Sequence, residues 1–300
     1  MSTKHVFDDA TGLVEKACLG VASTNPDLRF FAHHKVLYNA AHPRDKVAIL
    51  AGGGAGHEPA FSGLVGSGLV TVAVSGDVFA SPSSKQICSG VDLAPTDKGI
   101  VTIVLNYTGD CLNFGLASEK ARSAFHSEGK GRDIEMVNVG DDVSVGRSKG
   151  GLVGRRGLTG AAFTAKVLGA ASEKGDDVQK IAHLGRTMVK NFVTVGSSLD
   201  HCHVPGRSTD PKERGALSQS AVEIGMGIHN EPGAKHIENK PSGEDLIKEM
   251  LELLLREDDP ERSFVKFNKD DDPVLIINNL GGMSSIELGA IAAEARTQIE

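Results

Sequence analysis

Two glycine-rich loops, one in each half of the chain, present a histidine that is followed by Glu-Pro. The first reads GGGAGHEP over residues 52–59 and carries His57, and the second reads GMGIHNEPG over residues 225–233 and carries His229. Glycine lets backbone N–H groups approach an anion, so a phosphate cradle is the first function to test for the earlier loop. Its sequence matches neither of the two common phosphate-binding motifs. His57 stands where a Walker loop has lysine and where a dinucleotide-binding fingerprint has its third glycine. Each loop therefore presents an imidazole on a turn, and two such loops facing one cleft would enclose a small polar ligand.

A carboxylate follows another predicted strand. The apolar run GIVTIVLNY over residues 99–107 leads into Thr-Gly-Asp and delivers Asp110 to a turn. Open α/β proteins bind ligands at the ends of their strands, which makes Asp110 a candidate general base.

Each candidate also has a purely structural interpretation. A loop histidine is often satisfied by backbone groups, Asp110 could cap a helix that starts near Leu112, and the glycine loops could be tight turns alone.

The remaining polar candidates predict structure rather than chemistry. The four cysteines, at positions 18, 88, 111 and 202, form no CxxC pair and are expected to be reduced, mostly buried thiols. His201, Cys202 and His203 are adjacent in the sequence, and adjacent side chains do not readily converge on one tetrahedral ion, so we predict no metal site. Arg155 and Arg156 are expected to pair with carboxylates on the surface.

Length and composition describe a globular protein of about two domains. The chain has 300 residues, 40% of them hydrophobic and 24% charged. Its net charge is −7 and its 32 lysines and arginines are dispersed, which argues against a nucleic-acid partner. The start, MSTKHVFDDATG, has no apolar signal core, and no later window approaches a membrane span. We therefore expect no membrane association and a cytoplasmic location.

Short apolar runs alternate with helical stretches along the chain, which is typical of α/β layering. Strands are predicted at residues 46–52, 69–76, 99–107, 133–142, 193–202, 221–229, 263–268 and 273–282. Helices are predicted at residues 113–129, 157–175, 177–192, 243–257 and 284–300. The expected fold class is α/β, with two domains, residues 1–188 and 189–300, whose sheets are largely parallel or mixed and flanked by helices. The last helix has neither a capping glycine nor a return strand, so the second domain is expected to be truncated at residue 300.

Seven motifs in order resemble the substrate-binding domain of the dihydroxyacetone (glycerone) kinases. They are GGGAGHEPAFSGLVGSG, GDVFASPS, NYTGDCLNFGLASEKAR, VGRRGLTG, GSSLDHCHVPGR, GMGIHNEPG and NNLGG, and the resemblance spans almost the entire chain. The segments SSLDHCHVPGR and RSFVKFN are more similar to the ATP-dependent single-chain enzymes of eukaryotes than to the bacterial enzymes fed by a phosphotransferase system.

This resemblance implies a role for each candidate. His229 would bond covalently to the ketone carbon of dihydroxyacetone and give a hemiaminal, which rejects glycerol because glycerol has no carbonyl. Asp110 would be the general base that takes the proton of the terminal hydroxyl as that oxygen attacks the γ-phosphorus of ATP. His57 would hydrogen-bond the substrate, and Gly53 and Gly54 would supply backbone contacts. The product would be dihydroxyacetone phosphate, and glyceraldehyde is a further possible substrate.

The chain departs from the family pattern in two ways. Leu105 stands where the family commonly has a lysine that donates to a substrate hydroxyl, so binding is expected to be weaker or altered. The family holds ATP and Mg²⁺ on a separate all-helical domain, which nothing in these 300 residues matches. The resemblance also implies a homodimer.

Two other functions stay open: a non-catalytic ketone-binding or regulatory protein, and a nucleotide-binding protein that uses the first glycine loop. The flavin cyclase activity of some eukaryotic relatives would also need the missing domain.

Overall fold

A computed structural model describes residues 3–129, 132–148, 150, 154–213 and 215–300. The chain divides into two compact units, each built from separate stretches of sequence. The sheet unit comprises Ala10–Gly140 and Gly160–Lys190, and the C-terminal unit comprises Met1–Asp9, Asp141–Thr159 and Asn191–Glu300. The division of the sequence into domains at residues 188 and 189 stays a prediction.

The sheet unit contains one mixed sheet of six strands in the order β1-β2-β4-β3-β5-β6. The strands are β1 (Leu28–Phe31), β2 (Val36–Asn39), β3 (Ala48–Ala55), β4 (Val72–Val78), β5 (Ile100–Leu105) and β6 (Ile134–Val139). The last four are mutually parallel, whereas β1 and β2 pair antiparallel at one edge. The α/β class is confirmed, and the first four predicted strands correspond to β3, β4, β5 and β6.

Helices cover both faces of this sheet. They are α1 (Leu13–Ser23), α2 (Ser84–Leu93), α3 (Thr108–Glu128), α4 (Gly160–Glu173) and α5 (Val178–Lys190). Side chains of a strand alternate between faces, so Ile49 of β3 packs in the apolar cluster with α4 and α5, and Leu50 packs in the cluster with α2 and α3. From β3 the chain moves first to β4 on one side and then to β5 on the other. The carboxyl ends of β3 and β5 therefore form the switch point at which open α/β sheets bind ligands.

Helix α3 begins at Thr108, a few residues before the predicted start. The hydrophobic residues of its buried face recur at helical spacing and are Phe114, Ala117, Ala121 and Phe125. Gly129 ends the helix in the left-handed conformation, at φ 63°. The early start brings Asp110 into the first turn of the helix.

The C-terminal unit has a three-stranded antiparallel sheet in the order β7-β8-β9. Its elements are β7 (Ser197–Ser198), β8 (Val222–Ile224), β9 (Lys235–Ile237), α6 (Gly243–Leu255) and α7 (Ser285–Ile299). Val143, Val195 and Ile224 form its core, and the predicted apolar face of α6 packs against them. Serine side chains cap both helices, Ser242 for α6 and Ser284 for α7.

Two predicted strands of the C-terminal unit are wrong. Residues 263–268 and 273–282 contain no strand, although their apolar and β-branched content is typical of one. A strand needs a neighbouring backbone as well as a suitable sequence, and the apolar side chains of the second segment lie exposed instead. These are Val274, Leu275, Ile276 and Leu280.

The burial of the cysteines and the length and polarity of the helices can be compared with what the sequence predicted. The four cysteines are free thiols, but only Cys18 is fully buried, so the expectation of mostly buried thiols is wrong. Among the described residues, every helix is too short or too polar to cross a membrane.

Replacing Gly115 by alanine is expected to stabilise the protein. A Cβ at this position of α3 would meet nothing within 4 Å, and alanine is favoured over glycine in a helix interior by about 0.5–1 kcal/mol. The thermal midpoint of Gly115→Ala should therefore rise. Gly76→Ala is the contrasting variant, since its Cβ would collide with the carbonyl oxygen of Ala80, and it should lose about 1–3 kcal/mol. A lower midpoint for Gly115→Ala would contradict the assignment of open space beside α3.

Candidate functional site

The loops that follow β3, β4 and β5 meet at the carboxyl edge of the sheet unit. A Cβ built on Gly53 at the end of β3 would lie 3.9 Å from both carboxylate oxygens of Asp110. A Cβ on Gly109 would lie 2.7 Å from the Oγ of Ser81 in the loop after β4. The switch point of the sheet thus brings the first glycine loop beside the carboxylate that the sequence singled out.

Asp110 is a buried carboxylate at a helix N-terminus. It is 5% exposed and lies in the first turn of α3, where the helix dipole favours negative charge. The structural interpretation of Asp110 as a helix cap is wrong, because Tyr107 occupies the N-cap position and Asp110 lies three residues further on. Burial, together with the carboxylate of Asp110, raises the pKa of the neighbouring Cys111 thiol. The thiol therefore stays protonated near neutral pH.

His57 is held by stacking on a ring of the neighbouring loop. Its imidazole lies parallel to Phe79, with ring centroids 4.9 Å apart and an interplanar angle of 13°. Phe79 takes the left-handed conformation at φ 57°, which is uncommon for a bulky residue. A Cβ on Gly54 would lie 2.8 Å from the backbone nitrogen of Ala80, and one on Gly56 would lie 2.6 Å from the Phe79 ring. Glycine at these positions is thus required for the two loops to approach closely enough to stack His57.

His229 is held at two points by the carboxylate of Glu231. Its Nδ1 lies 2.9 Å from Oε1, and its backbone N–H donates to Oε2, also at 2.9 Å. A carboxylate only accepts hydrogen bonds, so Nδ1 carries the ring proton and the lone pair lies on Nε2. The side chain is 26% exposed, which keeps it accessible to a small ligand. A neutral imidazole oriented in this way is suited to act as a nucleophile or base through Nε2.

Glu231 is ionised across the whole physiological range. Burial alone would raise its pKa, but the hydrogen bonds from the ring and backbone of His229 and from its own backbone N–H outweigh burial and lower the pKa to about 2. A Cβ on Gly227 would collide with Oε2 of Glu231, so this glycine makes room for the carboxylate. Sequence reasoning missed Glu231 as a functional residue, although its position two residues after His229 was the signal that could have found it.

The loop that carries His229 is fastened on both sides of the histidine. Asn230 lies in the left-handed conformation, and its side-chain oxygen accepts from the backbone N–H of Cys202 at 2.9 Å. Arg156 donates to the carbonyl oxygen of Gly225 at 2.7 Å and forms an ion pair with Asp142, which is fully buried. The buried ion pair therefore positions the start of the loop.

The surface roles expected for the two arginines are therefore wrong. Arg156 does pair with a carboxylate, but with the buried one of Asp142. Arg155 donates to the carbonyl oxygen of Phe192 at 2.8 Å and lies 4.3 Å from the centroid of the Phe264 ring. Burial lowers the pKa of its guanidinium. Both residues bind backbone or core groups of the C-terminal unit.

The structure brings together some of the sequence-predicted site residues. Gly53, Gly54, His57 and Asp110 lie at one edge of the sheet unit, whereas His229 belongs to the C-terminal unit. The meeting of His229 and Asp110 in one crevice stays a prediction. Leu105 is buried in the apolar cluster that α4 and α5 cover. Within the described residues, no group of three or more His, Cys, Asp or Glu side chains is placed to hold a metal ion.

Comparison with known proteins gives one family and several close relatives. Residues 19–300 match the Dak1 domain. The dihydroxyacetone kinase of Pichia angusta is 44% identical over 301 residues, which are 97% of this chain and 48% of that enzyme. The chain thus spans about half the length of the curated relatives it matches.

Solved structures show the same fold. The native dihydroxyacetone kinase of C. freundii superimposes with a TM-score of 0.84 at 30% identity, covering 99% of this chain and 51% of that one. The same enzyme in complex with AMP-PNP and Mg²⁺ gives a TM-score of 0.79 at 31% identity, covering 98% and 51%. The dihydroxyacetone kinase operon co-activator DhaQ gives 0.82 at 27% identity, covering 95% of this chain and 82% of its own.

The depressed pKa of Glu231 predicts a pH-dependent contribution to stability. A carboxylate whose folded pKa is about 2 stabilises the folded state fully above its ordinary value of 4.5 and loses that effect as the pH falls through 2. The difference in urea midpoint between wild type and Glu231→Gln should therefore shrink from about pH 5 to about pH 2. The exposed Glu257→Gln serves as the control. A difference that stays constant over this range would contradict the assigned hydrogen bonds.

Proposed function

The chain belongs to the Dak1 domain family, and on that premise we propose that it is the substrate-binding part of a dihydroxyacetone kinase. It captures the ketone for phosphoryl transfer from ATP to a terminal hydroxyl, which yields dihydroxyacetone phosphate. The relatives named as dihydroxyacetone kinases support this assignment, and this chain spans about half of their length. The observation that carries the chemistry is the oriented imidazole of His229 on Glu231.

The capture step is the addition of Nε2 of His229 to the ketone carbon. The nitrogen lone pair forms the new C–N bond while the C=O π pair moves to the oxygen, which takes up a proton. The positive charge that develops on the ring is stabilised by Glu231, and the ring then releases the Nδ1 proton to solvent. The product is a neutral hemiaminal that retains every atom of the ketone. A polyol such as glycerol has no carbonyl and is rejected, whereas glyceraldehyde would be accepted.

The sheet unit supplies the groups for transfer. Asp110 takes the proton of the terminal hydroxyl, whose oxygen bonds to the γ-phosphorus as the bond from that phosphorus to the β–γ bridging oxygen breaks and ADP leaves. His57 hydrogen-bonds the substrate from its fixed position on Phe79, and the backbone of Gly53 and Gly54 lines the same edge. The Asp110 carboxylate lies 3.9 Å from the point that a Cβ on Gly53 would occupy, which supports their sharing of one substrate.

ATP and Mg²⁺ are proposed to bind to a part of the enzyme outside residues 1–300. The kinase of C. freundii, solved with AMP-PNP and Mg²⁺, is matched over only 51% of its chain, which leaves room for a donor site elsewhere in such an enzyme. When bound, the metal and nucleotide supply the phosphoryl group and neutralise its charge. We further propose that the enzyme is a cytoplasmic homodimer.

A second function is a non-catalytic ketone-binding regulator. The co-activator DhaQ favours it, because this chain covers 82% of that protein and the two folds are similar. Such a regulator would keep the capture histidine without phosphoryl transfer. The two functions are separated by a chimaera in which this chain replaces the matching half of the Pichia angusta kinase. Formation of dihydroxyacetone phosphate from ATP·Mg²⁺ by the chimaera supports the kinase, and ketone capture without any transfer supports the regulator.

Ketone capture is expected to require the side chain of His229. Native mass spectrometry of the chain with dihydroxyacetone should show the added mass of one ketone, and His229→Ala should abolish it. His236→Ala is the matched control, because His236 also lies two residues before a glutamate and contacts Glu238 at 3.2 Å. Adduct formation by His229→Ala would refute the proposal.

Asp110→Asn is expected to separate capture from transfer. The amide cannot accept the hydroxyl proton, so the transfer rate of the chimaera should fall by about 10²–10⁴-fold. The ketone adduct should form as in wild type, because Asp110 takes no part in the addition. Undiminished transfer by this variant would remove Asp110 from the role of general base.

A further inference from the structure

The end of β3 leaves a space without a side chain over Gly53, between an aromatic ring and the Asp110 carboxylate. The point that a Cβ on Gly53 would occupy lies 3.9 Å from Cε2 of Phe61 and 3.9 Å from both carboxylate oxygens of Asp110. The ring edge and the carboxylate are therefore separated by no more than twice that distance. A carbon atom in contact with both sides needs about 3.5–4 Å on each side. The space thus admits one carbon between the ring and the carboxylate and excludes a second one in line with it.

Leu105 forms a second apolar wall beside Gly53. Strands β3 and β5 are parallel with Gly52 opposite Val104, so Gly53 and Leu105 are neighbours one step further along. Neighbouring strands lie about 4.8 Å apart, and residues at the same step of a parallel pair share a face of the sheet. Phe61 and Leu105 belong to one apolar cluster, in which they are 6% and 7% exposed. Both walls are therefore parts of a close-packed core, which resists the insertion of a larger group.

We propose that Phe61 and Leu105 determine which hydroxyl is phosphorylated, because they admit a primary hydroxyl and exclude a secondary one. This inference rests on the proposed function, in which Asp110 takes the proton of the reacting hydroxyl while its oxygen bonds to the γ-phosphorus and ADP leaves. With that hydroxyl on Asp110, the carbon that bears it lies over Gly53, and its two remaining substituents face the ring and the leucine. Two hydrogens fit there, whereas a methyl group would overlap one of the walls. The substrate class is therefore a 1-hydroxy-2-ketone.

The walls restrict the arm of the ketone that reacts and leave the other arm open. The proposed chemistry uses only the carbonyl carbon and one hydroxyl, so hydroxyacetone, whose second arm is a methyl group, carries everything that is required. Acetoin is the same methyl ketone with one extra methyl group on the carbon that bears the hydroxyl. These two ketones therefore differ only at the position that the walls are proposed to restrict.

The first test compares phosphoryl transfer to hydroxyacetone and to each enantiomer of acetoin by the chimaera of this chain with the remaining half of the Pichia angusta kinase. One methyl group that does not fit should lower kcat/KM for either acetoin enantiomer by about 10–200-fold. Phe61→Leu removes the ring edge and should raise kcat/KM for acetoin by about tenfold, with less than about a threefold change for hydroxyacetone. Phe125→Leu is the matched control, since Phe125 is 5% exposed and lies about four turns further along α3 than Asp110. Its selectivity should equal that of wild type.

Gly53→Ala tests the space itself. Its Cβ would make ordinary contacts at 3.9 Å, so the thermal midpoint should stay close to that of wild type. The added methyl group would displace the substrate carbon, so kcat/KM for hydroxyacetone should fall by about 10–200-fold. Gly20→Ala is the matched control, because a Cβ at this position of α1 would meet nothing within 4 Å, and it should transfer as wild type does.

Native mass spectrometry of the chain with each ketone gives the same comparison without the donor half. The hydroxyacetone adduct should form, and the acetoin adduct should be weaker by at least about tenfold. Equal transfer to the two ketones or equal capture of them by wild type would overturn the assignment of the walls, as would unchanged selectivity in Phe61→Leu or full transfer by Gly53→Ala. Capture of dihydroxyacetone without capture of hydroxyacetone would refute the substrate class. Failure to capture dihydroxyacetone as well would instead refute the proposed function.

Discussion

The two hydrogen bonds that Glu231 accepts from His229 are the interaction on which the proposed chemistry depends. One fixes the ring through Nδ1 and the other fixes the backbone of the same residue, so the carboxylate determines both the orientation of the imidazole and its tautomer. The pKa of about 2 keeps the Glu231 carboxylate charged near neutral pH. Without this carboxylate the ring could rotate and place its proton on either nitrogen. Two further contacts hold the loop in place. Asn230 accepts a hydrogen bond from the backbone of Cys202, and the ion pair of Arg156 with Asp142 supports the start of the loop.

Backbone crowding is the second constraint, and it explains the glycines of both loops. In the sheet unit, Gly54 and Gly56 allow the loops after β3 and β4 to approach until Phe79 stacks under His57. In the C-terminal unit, Gly227 leaves room for the Glu231 carboxylate. The glycines of both loops thus make room for the groups that hold the two imidazoles.

Sequence patterns predicted the parts of the fold that local physics determines. The strands β3 to β6 and the buried face of α3 follow from apolar periodicity, and the glycine at position 129 marks the helix end. The segments 263–268 and 273–282 were predicted wrongly, because strand formation depends on a partner backbone that no local pattern contains. The same limit applies to the site. His57, His229 and Asp110 stand out by type and position, but the support that Phe79 gives to His57 arises only from the packing of two loops.

Covalent capture of the ketone by His229 can be observed in the ¹³C NMR spectrum of dihydroxyacetone labelled at its ketone carbon, bound to protein whose histidines are ¹⁵N-labelled. If His229 captures the ketone, the labelled carbon becomes tetrahedral and shows a one-bond coupling to Nε2 of His229. A carbon that stays a carbonyl in the bound state, or that couples to Nδ1 or to another histidine, would contradict capture by Nε2 of His229.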